Sequence, residues 1–324
     1  MAESSHWWAV AASSEVRRQP LARTVLHTPL VVFRDAKGLG VLRDRCPHRG
    51  APLSAGRVTE AGLQCPYHGW TFGPDGTCVR VPGRLRPGGP RTGHLAFRAV
   101  EQQGLVWVAG ALAGAHPPRL RQVGAVATTS TTLHAAARAG WGHAIENLLD
   151  GTHAPYVHGR WLQPTPRPTP IEVHRGDGYV EATYHARQEG FIPRWLGASV
   201  THGTARYDHP GRARLDYRDG AHIRFAVEAC FTPIDAQRTQ VLVVASTPQR
   251  RFLPSRLIWA LLRPMLRRVL AQDRAILEQQ ADNLARHPDA AFRSTEADVL
   301  GPYIHALMAG HDIQGPDRRR VIEV

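Results

Sequence analysis

Short hydrophobic runs separated by turn residues make up residues 7–110 of the chain. Runs rich in β-branched or aromatic residues, with glycine close by, indicate strands at 31–33, 40–42 and 105–108. The segment 73–76, Gly-Pro-Asp-Gly, is a turn signal between two such runs. This pattern predicts an all-β module, followed by a linker at 111–120.

The rest of the chain mixes helical and strand patterns. Apolar residues at helical spacing predict a helix over 141–150, and four prolines within 164–170 predict an extended loop. Strand-like runs return between 171 and 246. The run at 179–184 alternates, whereas 241–245 is apolar throughout and is predicted to lie centrally in a sheet.

A long helix is predicted over residues 265–286, with Pro264 at its start and His287-Pro288 after its end. The apolar, arginine-edged segment at 257–270 is interpreted as packed helix rather than as a membrane contact. The charged tail at 317–320 is expected to be frayed.

Composition narrows the class of protein. With 324 residues the chain is long enough for about two domains, and its hydrophobic content of 43% is ordinary for a globular protein. The net charge of +13 is compatible with nucleic-acid binding, but the arginines are scattered and no nucleic-acid motif accompanies them. The alternatives are arginine-rich solvated faces, or a docking surface for an acidic electron-donor protein.

Two short Cys/His pairs carry the strongest chemical signal. Cys46-Pro47-His48 and Cys65-Pro66-Tyr67-His68 each offer one thiolate and one imidazole. A Cys2His2 set can bind zinc, or a two-iron cluster with the cysteines on one iron and the histidines on the other. The spacing differs from that of a zinc finger, although a zinc ribbon or four unrelated buried residues stay possible on the residues alone.

The segments around these pairs resemble the cluster-binding region of Rieske [2Fe–2S] oxygenases. The resemblance is carried by residues 44–53, Asp-Arg-Cys-Pro-His-Arg-Gly-Ala-Pro-Leu, and by residues 65–70, Cys-Pro-Tyr-His-Gly-Trp. It implies that the four ligands of a [2Fe–2S] cluster are Cys46, His48, Cys65 and His68.

The remaining cysteines, Cys78 and Cys230, do not suggest a disulfide framework, so a reducing, cytoplasmic setting is expected. Residues 1–20 contain no apolar segment typical of a secretory signal. The longest apolar stretch, 257–262, is far shorter than the ~20 residues of a membrane-spanning helix.

A second candidate metal site lies at residues 146–158. His153 and His158 are five residues apart and would not share a face of an ideal helix. Gly151 and Pro155 predict that the helix breaks and bends, which could bring both imidazoles toward one point. Two histidines and one carboxylate with open positions are the usual ligands of an oxygen-activating non-haem Fe(II).

The whole string, Asn-x-x-Asp-x-x-His-x-x-x-x-His, resembles the mononuclear-iron motif of the same family. The resemblance implies that His153 and His158 bind iron and that Asp150 links this site to a cluster histidine of a neighbouring subunit. Asn147 would lie near the iron ligands or the substrate, although a helix-surface amide is the alternative.

The third iron ligand must be a carboxylate from elsewhere in the chain. Residues 271–280 resemble the ligand-bearing helix of the family, which favours Asp273. Glu278 and Asp282 on the same predicted helix are the alternatives.

Residues 160–260 are expected to line the substrate pocket, and the apolar cluster around 191–196 is interpreted as core packing rather than as a pocket wall.

The resemblance implies an α+β chain: an all-β Rieske [2Fe–2S] domain over residues 1–115, then an antiparallel-sheet catalytic domain flanked by helices over 116–324. It implies an oxygenase that uses O2, with electrons from NAD(P)H through a separate reductase or ferredoxin. The expected reaction is hydroxylation or oxidative demethylation of a small, largely apolar aromatic or alicyclic substrate, as in the vanillate and dicamba O-demethylase group. A homotrimer is also implied.

Two alternatives stay open at this stage. Cis-dihydroxylation and desaturation would use the same iron site, since substrate placement decides the product. A Rieske electron-transfer protein without oxygenase activity would need only the first domain, so the second set of His and Asp residues argues against it.

Overall fold

The computed structural model describes residues 5–84, 89–90, 96–121, 123, 128–159, 166–186, 200–249, 254–289 and 291–324. Contacts between residues divide the chain into two compact units, Met1–Arg119 and Leu120–Val324. The domain boundary after residue 115 stays a prediction, because contacts alone do not test whether either part folds by itself. No helix in the described ranges is long and apolar enough to span a membrane.

The described part of the N-terminal unit consists of short antiparallel strands and two 3-10 turns, Ser13–Glu15 and Leu53–Ala55. The strands are β1 (Trp7–Ala12), β2 (Leu21–Val25), β3 (Thr28–Asp35), β4 (Gly38–Arg43), β5 (Arg57–Thr59), β6 (Gly62–Gln64), β7 (Thr71–Phe72), β8 (Cys78–Arg80), β9 (Ala99–Gln102) and β10 (Leu105–Ala109). They form sheets in the orders β1-β10-β9, β2-β3-β4 and β5-β6-β7-β8. The predicted all-β module is confirmed.

The predicted turn at 73–76 joins β7 to β8. The Gly73 N–H donates to Thr77 O at 2.9 Å, and the Asp75 carboxylate accepts from the Thr77 N–H at 3.0 Å. Gly76 has a φ of +79°, a left-handed conformation that glycine adopts without steric cost. The neighbouring core contains Phe33, Leu53, Leu63 and Phe72 with the thiols of three cysteines.

The C-terminal unit is built on an antiparallel sheet whose eight described strands run in the order β11-β17-β16-β15-β14-β13-β12-β18. The strands are β11 (Thr128–Ala137), β12 (Pro168–Gly176), β13 (Tyr179–Tyr184), β14 (His202–Asp208), β15 (Arg212–Asp219), β16 (His222–Pro233), β17 (Thr239–Pro248) and β18 (Arg318–Glu323). The described helices are α1 (Trp141–Leu149), α2 (Ala154–Val157), α3 (Ser255–Arg286) and α4 (Gly301–Met308). The α+β class and the antiparallel catalytic sheet are confirmed.

One face of this sheet and the helices share a hydrophobic core. Strand residues alternate, so that Ala213, Leu215 and Tyr217 of β15 join the core while the residues between them face the other way. The run 241–245 pairs on both sides, with β11 and with β16, as its continuous apolar character predicts.

The start of the long helix was predicted wrongly. Helix α3 begins at Ser255, and Pro264 lies inside it. Pro264 is exposed, so water solvates the carbonyl that the missing N–H leaves free. The helix continues because Trp259, Leu262 and Leu266 bury one stripe at helical spacing on both sides of the proline.

Two predictions about segments that pair with each other were also wrong. The charged tail is not frayed, because β18 pairs with β12 in the register Pro168↔Glu323 to Val173↔Arg318. Residues 168–170, expected in a loop, therefore belong to a strand. Arg167 and Val324 exchange both backbone hydrogen bonds, so positions 168 and 170 fall on the non-hydrogen-bonded pairs toward β18, where proline is tolerated.

Candidate active site

Two loops of the same construction carry the Cys/His pairs. In each, the cysteine N–H donates to a carbonyl five residues later, and a glycine N–H donates back to the cysteine carbonyl. The bonds are Cys46 N→Ala51 O (2.8 Å), Gly50 N→Cys46 O (2.9 Å), Cys65 N→Trp70 O (2.8 Å) and Gly69 N→Cys65 O (3.2 Å). Gly50 and Gly69 have φ values of +77° and +68°, a left-handed conformation that favours glycine, which explains why both loops have glycine four residues after the cysteine.

The thiols of the two loops lie on the buried side. Cys46 and Cys65 are 1% and 3% exposed. Burial raises the pKa of Cys46 to about 11, and the neighbouring Cys65 thiol contributes to that rise, while N–H groups of His48 and Arg49 lower it. A cation is therefore needed to hold the Cys46 sulfur as a thiolate, and iron or zinc would supply it.

The imidazoles of the two loops lie side by side. The ring centroids of His48 and His68 are 4.5 Å apart, and His48 stacks on Trp70 at 4.8 Å with an interplanar angle of 5°. The Nδ1 atom of His48 is buried and has no hydrogen-bond partner. Two thiols that interact with each other and two adjacent imidazoles fit a [2Fe–2S] cluster with cysteines on one iron and histidines on the other.

The helix break predicted from Gly151 and Pro155 is present, one residue earlier than the predicted helix end at 150. Helix α1 ends at Leu149, and Asp150 has extended backbone angles. A short turn leads to α2, which His153 precedes and His158 follows. A Cβ on Gly151 would lie 2.8 Å from Val324 Cγ1, so the turn passes too close to the chain end for a side chain there. This bend brings the two histidines to one place.

Three donor atoms converge at this point. His153 Nε2 lies 3.2 Å from His158 Nε2 and 3.5 Å from Asp273 Oδ1, and His158 Nε2 lies 3.1 Å from the same oxygen. Neighbouring donors around a metal with bonds of about 2.1 Å are separated by about 3.0 Å. The Oδ1 atom of Asp273 is buried and has no hydrogen-bond partner of proper geometry. The donor set therefore fits a facial 2-His-1-carboxylate iron site.

The electrostatics also call for a cation between these groups. Burial lowers the pKa of His153, but the carboxylates of Asp150 and Asp273 outweigh it and raise that pKa to about 9. Burial raises the pKa of Asp273, but His153 and His158 lower it below its ordinary value. Without a metal, the raised pKa keeps a proton on the His153 imidazole, and a divalent ion bound by His153, His158 and Asp273 would replace that proton.

The alternative third ligands point elsewhere. Glu278 pairs with Arg274 at 3.0 Å, and Asp282 binds Arg138 at 2.6 Å; both acids lie toward solvent. Of the three candidate carboxylates, the structure therefore brings only Asp273 to the histidines.

Asp150 is held next to His153. Its Oδ1 accepts from the Thr152 N–H at 2.8 Å and from the Thr152 hydroxyl at 2.7 Å, while Oδ2 lies 3.6 Å from His153 Nδ1. Asn147 borders one cavity with Asp150 and another with Asp273.

Sequence reasoning missed Gln272. Its Oε1 lies 3.2 Å from His158 Nδ1 and can accept the N–H of that ring. In the neutral ring, such a bond leaves Nε2, which faces Asp273, free to bind a metal. The only available signal was its position next to Asp273 in α3.

A mostly apolar cavity of about 150 Å³ opens beside the triad. Apolar lining residues include Leu133, Leu215, Phe225, Val227, Val243 and Leu266. Tyr184 and Tyr217 also line it, and within the described ranges neither hydroxyl has a hydrogen-bond partner. Burial raises the pKa of Tyr217 to about 12, and no described lysine or arginine borders the cavity. The cluster at 191–196 lies outside the described residues.

Comparisons with known proteins identify the families of the two parts of the chain. The Rieske [2Fe-2S] domain family matches residues 6–88. The vanillate O-demethylase oxygenase C-terminal domain family matches residues 137–309. The oxygenase component of dicamba O-demethylase from Stenotrophomonas maltophilia is 36% identical over 190 residues, 54% of this chain and 54% of that protein.

A putative toluene-4-sulfonate monooxygenase system iron-sulfur subunit from Comamonas testosteroni is 38% identical over 159 residues, 47% of this chain and 45% of that protein. The matched segments thus span about half the length of these curated relatives. A crystal structure of dicamba monooxygenase bound to dicamba has a TM-score of 0.77 at 21% identity, with 94% of this chain and 96% of that chain covered. At that identity the likeness shows the fold alone.

The two family matches fall on the two structural units, and the second covers more than half of the chain. The chain therefore belongs to the family of Rieske oxygenases that carry a vanillate O-demethylase-type C-terminal domain.

Proposed function

We propose that this chain is an oxygenase component that uses O2 and electrons from a separate NAD(P)H-dependent reductase to hydroxylate or oxidatively demethylate a small, largely apolar substrate. One observation carries the proposal: the three convergent donors of His153, His158 and Asp273 lie at the wall of a mostly apolar cavity. An electron carrier has no use for such a cavity, whereas an oxygenase needs a substrate beside its metal.

Each metal centre has its own residues in this proposal. Cys46, His48, Cys65 and His68 hold the cluster, and His153, His158 and Asp273 hold the mononuclear iron. When bound, a Rieske cluster supplies single electrons and a facial-triad iron activates dioxygen. The chain contributes the buried setting of the donors and their fixed orientation.

Asp150 is proposed to connect the two kinds of centre. The Thr152 hydroxyl lies within hydrogen-bond distance of both of its oxygens, and Oδ2 also faces His153. Asp150 also borders a second cavity of about 360 Å³ that is distinct from the substrate cavity. A cluster histidine of a neighbouring subunit in a homotrimer could reach the carboxylate from that side.

The cavity lining supports a neutral substrate. Apart from the metal-site residues, Asp150, Asp216 and two threonines, its described lining is apolar or phenolic, and it includes no lysine or arginine to pair with a carboxylate or sulfonate. Burial raises the pKa of both Tyr184 and Tyr217, which keeps the phenols protonated as hydrogen-bond donors. We therefore expect an aromatic or alicyclic compound with an ether or carbonyl oxygen that these donors can bind.

The test is oxygen uptake by the iron-loaded protein with an NADH-dependent reductase. Aromatic acids, aryl methyl ethers, N-methyl compounds and sterols form the substrate panel, and formaldehyde release identifies demethylation. Asp273→Ala should abolish substrate-dependent uptake and retain the two cluster irons. Asp282→Ala, on the exposed side of the same helix, is the matched control and should keep full activity. Reduction of the cluster without oxygen uptake for any substrate would instead indicate an electron-transfer protein.

A further inference from the structure

A second group of metal-binding side chains lies away from the iron triad. His143 and Glu146 belong to α1, and His305 belongs to α4. One nitrogen or oxygen from each residue lies within 4.8 Å of the others. His305 Nε2 is 2.9 Å from Glu146 Oε2. Neither family resemblance nor the proposed mechanism uses these residues.

The donor types and the ring placement of this group are comparable to those of the proposed iron site, in a looser arrangement. The ring centroids of His143 and His305 are 5.5 Å apart at an interplanar angle of 56°, against 5.1 Å and 74° for His153 and His158. The shortest imidazole–carboxylate distance is 2.9 Å here and 3.1 Å in the triad. The two groups therefore offer the same donor types, but the donor atoms of the triad lie within 3.5 Å of one another, whereas those of this group lie within 4.8 Å.

Local sequence builds the group in two steps. His143 and Glu146 are three residues apart on α1 and so lie on one face of the helix. Gly301 and Gly142 then allow α4 to approach. A Cβ on Gly301 would lie 1.9 Å from Glu146 Oε1, and a Cβ on Gly142 would lie 3.1 Å from His305 Cε1. A side chain at Gly301 would displace the carboxylate from the group.

An ion can reach the group through His305, whose side chain is 44% exposed. His143 and Glu146 border the cavity of about 360 Å³ that Asp150 also borders, so the test uses the assembled protein. The contact between His305 Nε2 and Glu146 Oε2 already holds an imidazole nitrogen and a carboxylate oxygen side by side.

We propose that His143, Glu146 and His305 form a second metal site, which takes one divalent cation of the Zn²⁺ type and leaves one coordination position for water. Two nitrogens and one carboxylate oxygen are a usual ligand set for this ion. The ion would tie α4 to α1, the helix that runs directly into Asp150. The site does not depend on the proposed oxygenase activity.

The experiment measures zinc binding by the full-length, iron-loaded protein. Equilibrium dialysis against buffered Zn²⁺, with metal analysis, should find about one zinc per chain while the iron content stays at about three. His305→Ala and Glu146→Gln should each lower the zinc affinity by at least about tenfold. His311→Ala removes an exposed histidine that lies outside the group and should bind zinc like the unmodified protein.

Thermal unfolding supplies a second readout. Zn²⁺ should raise the unfolding temperature of the unmodified protein and of His311→Ala, but not that of His305→Ala, because only the first two have the complete site. The visible absorbance of the cluster verifies that each variant is folded. The proposal is overturned if the unmodified protein binds no zinc. It is equally overturned if zinc binding survives in His305→Ala but disappears in His153→Ala, since the ion would then occupy the iron triad.

Discussion

Replacement of Gln272 by leucine should weaken iron binding at the triad without unfolding the chain. The Oε1 atom of Gln272 lies 3.2 Å from His158 Nδ1 and fixes that ring by accepting its N–H. Leucine has a similar size but accepts no hydrogen bond. The ring could then rotate, and its tautomer would no longer be set with Nε2 free for the metal.

The expected size of this effect follows from burial. His158 is 4% exposed, so water cannot readily replace the lost acceptor. A buried N–H without a partner costs about 1–3 kcal/mol. Loss of a hydrogen bond behind a metal-binding histidine weakens metal affinity by about 10–100-fold, which corresponds to roughly 1.4–2.8 kcal/mol. The two estimates agree.

The assay is competition for Fe(II) against a calibrated chelator under anaerobic conditions, with iron counted per chain. Gln279→Leu makes the same chemical change at an exposed position of α3 and should leave the affinity unchanged. Gln272→Glu keeps an acceptor and should retain iron. If Gln272→Leu binds iron as tightly as Gln279→Leu, the amide does not position His158 and the reasoning is wrong.

Three further predictions concern the same two units. Asp150→Asn should keep both metals but lose most turnover, because the carboxylate facing His153 is removed; full turnover with full metal content would contradict the bridging role. In the iron-free protein, the pKa of His153 is raised to about 9, above its unfolded value of 6.5. Its contribution to stability is therefore complete below about pH 6.5 and is lost as pH rises through 9, so the unfolding temperature of chelated protein should fall across this range more steeply than that of iron-loaded protein. Gly69→Ala places a Cβ at a φ of +68° and 3.0 Å from Pro82 Cγ, so it should lower the free energy of unfolding by about 1–2 kcal/mol. Denaturant unfolding, followed by the cluster absorbance, measures this change, and an unchanged midpoint would mean that the loop relaxes freely.

The cluster loops show how far local reasoning extends. Their ligands, glycines and aromatic residue lie within a few positions of one another, and each loop is closed by hydrogen bonds within six residues. A structure formed by near neighbours leaves a recognisable string in the sequence. The all-β module, the α+β class and the break after α1 were predictable for the same reason.

The errors involve contacts between distant parts of the chain. Residues 318–323 form a strand only because β12 offers an edge, and Pro264 stays helical only because Trp259 and Leu266 bury the stripe around it. Neither partner is visible in the local pattern. Gln272 escaped notice because an amide on a helix surface has no distinctive spacing until His158 is known to lie beside it.

By itself, the amino-acid sequence determined which residue types could bind the metals, the two Cys/His loops, the helical segments that carry the second candidate site, and the class of fold. These features depend on residues that are close together in the chain. Only the tertiary structure decided which carboxylate joins His153 and His158, since Asp273, Glu278 and Asp282 share one helix and differ only in the direction they face. The same holds for His143, Glu146 and His305, which the crossing of α1 and α4 brings together. Donor atoms bind a metal through their positions in space, and packing across long sequence distances sets those positions.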